Sequence, residues 1–124
     1  MKIIRGDTKR YKFQRVDADG NIITERPAGL FFTVKESWGT QEPTFQKTID
    51  DMEFDDDPES DTYGYWCFTI RPEDTNDLPY ETYVCDIEVV RDFDKLEKTT
   101  IMKDQFKILG ESTWATNEPM GEES

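Results

Sequence analysis

The sequence predicts an all-β fold: an antiparallel sandwich of seven to nine short strands with one short helical turn, spanning residues 1–109. Three observations carry this. From Tyr83 to Val90 apolar and polar residues alternate strictly, with Tyr83, Cys85, Ile87 and Val89 on one parity. An earlier run, Tyr63–Ile70, places Trp66, Phe68 and Ile70 on one face, and Pro72–Leu78 between the two runs reads as a tight helical corner. Strand, corner, strand is how one sheet of a sandwich hands the chain to the other. Turn signals also recur every eight to twelve residues along the chain.

Each element follows from its residues. Ile3–Arg5 begins a strand, and Gly6-Asp7-Thr8 breaks it. Lys9–Asp17 resumes, with Tyr11 and Phe13 inward and Arg10, Lys12 and Gln14 outward. Asp17-Ala18-Asp19-Gly20-Asn21 is a turn of the Asp-Gly type, and Ile22-Ile23-Thr24 is a short extended piece ended by Pro27. Leu30–Ser37 is a strong strand with Leu30, Phe32 and Val34 on one face, which turns Phe31 outward. A loop through Trp38, Gly39 and Pro43 leads to Phe45–Ile49. The acidic segment 50–61 crosses to Tyr63–Ile70. After Tyr83–Val90, Asp92-Phe93-Asp94-Lys95 turns the chain into Leu96–Met102, and Gln105–Leu109 closes the sheet. Residues 110–124 lack periodicity and read as a flexible acidic tail.

A chain of 124 residues is one domain, and at this size it needs neither a disulfide nor a metal to build a core. Only 35% of it is hydrophobic, but eight Phe, five Tyr and three Trp compensate. Each buried aromatic removes about 150–250 Å² from water. No apolar run approaches the length of a membrane span, and Met1–Arg5 is too short for a signal-peptide core. The expectation is a soluble protein that stays in the cytoplasm. Cys67 and Cys85 fall on opposite faces of their strands, so they read as free thiols of a reducing compartment.

The net charge of −13 is not evenly spread. Residues 50–61 hold eight acids and no base, and residues 110–124 hold four acids and no base, which leaves the body near neutral. Nucleic-acid binding is disfavoured, because it needs a clustered basic face. Basic residues gather once, at Lys2, Arg5, Lys9, Arg10, Lys12 and Arg15.

Histidine is absent, which removes Ser-His-Asp triads, Cys-His dyads and imidazole metal sites. The acids sit in a turn-rich, solvated loop rather than a desolvated pocket, so no enzymatic activity is expected, and neither is a cofactor. Asp55, Asp57, Glu59 and Asp61 imitate the start of a calcium loop, but Ser60 stands where glycine is needed and Trp66 where a bidentate carboxylate is needed. Mutual repulsion is expected to hold this loop extended at low salt. Arg5-Gly6-Asp7 reads as the break between two strand segments, with Gly6 allowing the bend.

Pro72-Glu73-Asp74-Thr75 followed by Tyr83-Val84-Cys85 resembles the corner of an immunoglobulin variable domain, where a tyrosine two residues before the cysteine bonds back across the turn. The cysteine spacing differs from that of antibodies, so the likeness is one of layout: an immunoglobulin-like sandwich. A broader resemblance runs over residues 3–109. Arg5-Gly6-Asp7-Thr8, Asp17–Asn21, Leu30–Lys35, Ile70–Thr75, Tyr83–Val89 and Gln105–Ile108 follow in the order seen in a family of phage and prophage β-sandwich modules, among them the N-terminal domains of siphophage upper baseplate proteins. The chain departs from it in lacking a glycine before Tyr83 and in its long acidic segment. The resemblance implies a non-enzymatic structural or assembly protein associated with a tail, neck or baseplate. It implies a place in the host cytoplasm during assembly, or in the virion.

Such modules work through protein–protein contacts, with copies of themselves in a ring among the expected partners. The candidate contact residues are Arg10 and Lys12 on one copy against Asp55, Asp56 and Asp57 on the next, with Phe31 and Trp114 as apolar anchors. Trp66, Phe68, Tyr83, Cys85 and Ile87 are the candidate structural residues. Two other functions compete: a carbohydrate or cell-surface binding module using Trp38 and Trp66, and an acidic nucleic-acid mimic built on segment 50–61.

Overall fold

The computed structural model describes residues 1–79 and 81–110. The fold is all-β, with eight strands in two sheets. β1 (Lys2–Ile4), β3 (Gly29–Lys35), β4 (Phe45–Thr48), β7 (Thr82–Asp92) and β8 (Glu97–Leu109) form a five-stranded sheet in the order β1-β8-β7-β3-β4. β2 (Lys9–Gln14), β5 (Glu53–Phe54) and β6 (Tyr65–Ile70) form a three-stranded sheet in the order β2-β6-β5. Neighbouring β3, β7 and β8 in one layer against β2, β6 and β5 in the other is the immunoglobulin-type arrangement. A 3-10 turn, Ile49–Asp51, follows β4, and one short helix, α1 (Pro72–Thr75), joins β6 to β7.

The facing sides of both sheets supply the core. Leu30, Phe32 and Val34 of β3, Trp66, Phe68 and Ile70 of β6, Tyr83, Cys85, Ile87 and Val89 of β7, and Phe106 and Ile108 of β8 are all buried. Phe32 lies at the centre, with ring centroids of Phe68, Phe106 and Phe45 at 4.5, 6.2 and 6.4 Å. Tyr11 and Phe13 of β2 close over Phe68 at 5.8 and 6.2 Å.

Three features differ from the sequence reading. β1 pairs with β8 in parallel, Lys2 opposite Lys107, so the sandwich is not wholly antiparallel. The cause is Gly6, at φ 85°, which turns the chain out of one sheet and into the other before β2 begins. A strand break was legible; its consequence, a change of sheet, was not. Second, the two predicted terminal strands are one strand of 13 residues. Ile87 faces Met102 while Glu88 faces Thr100, so Ile101 is an extra residue at a β-bulge, and the bulge interrupts the alternation. Third, Tyr63 and Gly64 belong to a turn, and Ile22 makes only an isolated bridge to Val16.

The α1 corner pins the change of sheet. The buried Thr75 hydroxyl accepts the Gly6 N–H at 2.9 Å, and the Arg5 guanidinium reaches the Leu78 carbonyl at 3.4 Å. Asp74 accepts the Arg71 N–H at 2.8 Å and pairs with Lys47 of β4 at 2.7 Å, with both side chains mostly covered. Arg5 and Gly6 are thus packed on this corner. Removing the acceptor with Thr75→Val is expected to cost about 1–3 kcal/mol, the desolvation penalty of an unpaired N–H. Urea unfolding checks this: the midpoint falls with an unchanged slope, whereas an unchanged midpoint would deny the hydrogen bond any weight.

Candidate interaction surfaces

The charged candidates lie on the outer side of the three-stranded sheet and in the loop beyond it. Period-2 alternation turns Arg10 and Lys12 away from the core, since Tyr11 and Phe13 point inward. Each already has an intramolecular partner. Arg10 donates to Glu53 of β5 at 2.7 Å, and the Lys12 ammonium stands over the Tyr65 ring at 4.9 Å. The Cys67 side chain is buried on this face, with Lys12 and Glu53 as its two cross-strand neighbours. Cys67 and Cys85 are both free.

The acidic loop is folded, not held extended by repulsion. Asp55 Oδ2 accepts the Ser60 and Thr62 hydroxyls at 2.6 and 2.5 Å, and Oδ1 accepts the Asp57 N–H at 3.0 Å. Asp57 in turn accepts the Glu59 N–H at 3.0 Å. These local bonds, each to a charged acceptor, outweigh a repulsion screened by water. Asp55 therefore organises the loop, its carboxylate engaged by neighbouring donors, whereas the Asp56 and Asp57 residues are exposed. The hydroxyls of Ser60 and Thr62, then the Asp57 N–H, hold the Asp55 carboxyl below its ordinary pKa.

That shift has a definite sign. A depressed folded pKa means a contribution present above the ordinary carboxylate range and lost as pH falls through the depressed value. Carboxyl NMR titration is expected to place Asp55 below the ordinary carboxylate range, and Asp55→Ala, which removes the acceptor oxygen, is expected to abolish the protection of the Asp57 amide. A midpoint for Asp55 within the ordinary carboxylate range would contradict the role assigned to it.

Phe31 occupies the outer side of the five-stranded sheet. Its ring meets Phe93 edge-on at 6.4 Å, and Val90, Leu96, Gln46 and Lys98 complete a shallow depression of about 310 Å³. Phe93 is 54% exposed and Leu96 80% exposed, Leu96 held in the left-handed region at φ 55°. Gly29 lets the Phe93 ring lie against the sheet, since a Cβ there would come within 2.8 Å of it. Sequence reading missed Phe93 and Leu96 because they sit in the turn between β7 and β8. Two large apolar residues in a turn of four were the available signal.

The remaining candidates are scattered. Trp38 is exposed at the far end of the same sheet, with the Lys103 ammonium 5.0 Å from its ring. Trp66 is a core residue packed on Phe54 at 5.0 Å, so it is withdrawn from any ligand; its buried indole N–H has no acceptor among the described residues. Trp114 lies outside the described residues. Phe68, Tyr83, Cys85 and Ile87 are buried with Trp66. The Tyr83 hydroxyl points to the Pro79 carbonyl at 3.4 Å, a long bond across the corner. Burial, then Asp104, pushes the Cys85 thiol up to about 11, so it stays protonated at neutral pH.

Among the described residues, no three His, Cys, Asp or Glu are grouped to hold a metal ion, and no helix is long and apolar enough to cross a membrane. Comparisons with protein-family models, curated proteins and solved structures found no match to this chain.

Proposed function

We propose that this chain is a structural or assembly module that acts through protein–protein contact, and, from its resemblance to phage and prophage sandwich modules, that it belongs to a tail, neck or baseplate. One observation carries the contact reading. Phe31, Phe93 and Leu96 form a contiguous apolar patch on the outer side of the five-stranded sheet, rimmed by Gln46, Glu88 and Lys98. An apolar centre with a polar rim is the usual anatomy of an interface. The charge pairing of Arg10 and Lys12 with Asp55–Asp57 of a neighbour is a lesser part of this reading, because Arg10 and Asp55 are engaged within their own copy. Charges of this kind set orientation more than affinity.

Sedimentation velocity over a wide concentration range tests the contact. Self-association is expected, and Leu96→Asp, which removes an exposed anchor without touching the core, is expected to weaken it at least about tenfold. A wild-type protein that remains monomeric throughout would end the self-assembly reading. The particle assignment is tested by the flanking genes, which are expected to encode tail or neck proteins.

A further inference from the structure

On the flank opposite β4 the sandwich is not closed. β8 has 13 residues, but β1 pairs only with Lys107, Ile108 and Leu109. Among the described residues, 97–104 therefore have no strand on that side, the Gln105 carbonyl being taken by the Met1 ammonium, and β2 is an open edge of the other sheet. Between these two edges runs an apolar furrow. One part, about 370 Å³, is lined by Tyr11, Phe13, Phe68, Ile87, Ile101 and Met102. A second part, about 360 Å³, is lined by Val16, Ile23, Val89 and Ile101 together with Arg15 and Arg91. Ile101, the extra residue of the β8 bulge, lines both.

We propose that this flank receives an extended segment added as a strand to β8, and that the segment is residues 111–118 of a second copy of this chain. An unpaired strand edge offers N–H and C=O groups in the spacing another strand needs, and the furrow gives alternate side chains somewhere to go. The bulge makes the edge a poor match for a second β8, since it bends the strand and interrupts its ladder. A separate segment is the occupant that fits.

Charge and size select which segment. Lys12, Arg15 and Arg91 line the furrow and none of the three is in an ion pair among the described residues, while the acid on its lining, Asp104, is paired with the Met1 ammonium at 3.0 Å. Residues 111–124 carry four Glu and no base, with one large apolar group, Trp114, in the stretch before Pro119. Proline cannot donate to a ladder, so it ends the strand there. An indole suits an apolar furrow of this size, and its burial would remove about 150–250 Å² from water.

Reach selects a second copy. Five residues from Leu109 to Trp114 span at most about 17 Å fully extended. Eight residues back along β8, from Leu109 to Ile101, cover about 26 Å. Trp114 of the same copy therefore falls short of Ile101, and β1 already holds the place beside Lys107, Ile108 and Leu109 through which the segment would have to fold back.

This inference rests on the self-assembly reading but uses a different surface, so the two fail separately. A fluorescein-labelled peptide of residues 111–124 would be titrated with the full-length protein at low and high salt. Binding is expected, weakened by salt, and reduced at least about tenfold by Ile101→Asp in the protein or Trp114→Ala in the peptide. Circular dichroism would establish that the Ile101→Asp protein is folded; an Arg15→Glu, Arg91→Glu protein provides a second variant, also expected to lose the peptide. No binding, or equal binding by all variants, would overturn the proposal while leaving self-association through Leu96 standing. In a Trp38→Phe, Trp66→Phe chain, where Trp114 is the sole tryptophan, emission shifted to the blue at every protein concentration would also overturn it, because the segment would then be bound by its own copy.

Discussion

Phe32→Ala is expected to destabilise the protein by about 3–5 kcal/mol, the range for removing a fully buried aromatic ring. Phe32 is wholly buried in the central strand pair, and its ring touches those of Phe68, Phe45 and Phe106, which come from the opposite sheet, from the β4 edge and from β8. Deletion leaves a void bordered by three elements that cannot all close in, so the cavity cost adds to the lost transfer energy. A domain of this size holds only about 5–15 kcal/mol in total, so the variant sits close to the unfolding threshold. Denaturant unfolding measures the effect. Phe93→Ala, on a ring that is half exposed, serves as the contrast and is expected to cost under about 1 kcal/mol. Similar losses for the two would mean that Phe32 is not the centre of the core.

Gly64→Ala is the second large effect, about 2–4 kcal/mol, and it acts on the backbone. Gly64 sits at φ 84°, where an L side chain costs about 1–2 kcal/mol. The same Cβ would lie 2.6 Å from Ile22 Cγ2, adding the overpacking penalty of about 1–3 kcal/mol. The position is not free to move. The Gly64 N–H bonds to the Asp55 carbonyl at 2.8 Å, and the Tyr65 carbonyl accepts the Asp55 N–H at 2.9 Å, so two residues oppose one at the base of the acidic loop. This glycine bulge sets where β6 begins. Ile22→Ala combined with Gly64→Ala separates the two contributions: the double variant is expected to recover the crowding part and keep the backbone part. Full recovery would mean that φ at residue 64 carries no strain.

Much of the core was readable in the residues because a strand exposes its faces in strict turn. The parity of Trp66, Phe68 and Ile70, and of Tyr83, Cys85, Ile87 and Val89, places all seven inside, where the structure has them. Phe31 was likewise set on the outer side by Phe32 pointing in. The rule does not carry across Ile101, because one inserted residue reverses every parity beyond it and no residue type announces the insertion. It failed at the contact surface for another reason. Phe93 and Leu96 are turn residues, and nothing in a turn's composition says which sheet face it folds against.

Charge was the least legible property. The acids of segment 50–61 look alike in sequence, yet Asp55 is tied down by two hydroxyls while Asp56 stays in solvent. That difference depends on where Ser60 and Thr62 come to rest, which the loop's closure settles.

Alternation, turn chemistry and aromatic content are local, and they were enough for an all-β chain with its inward faces in the right places. Which strands are neighbours is a long-range matter. The parallel seat of β1 beside β8, the exposed flank that results, and the joining of Gly6 to Thr75 link residues about seventy or more positions apart. Such pairings are chosen by how two layers pack over one core, and no window of sequence contains both partners.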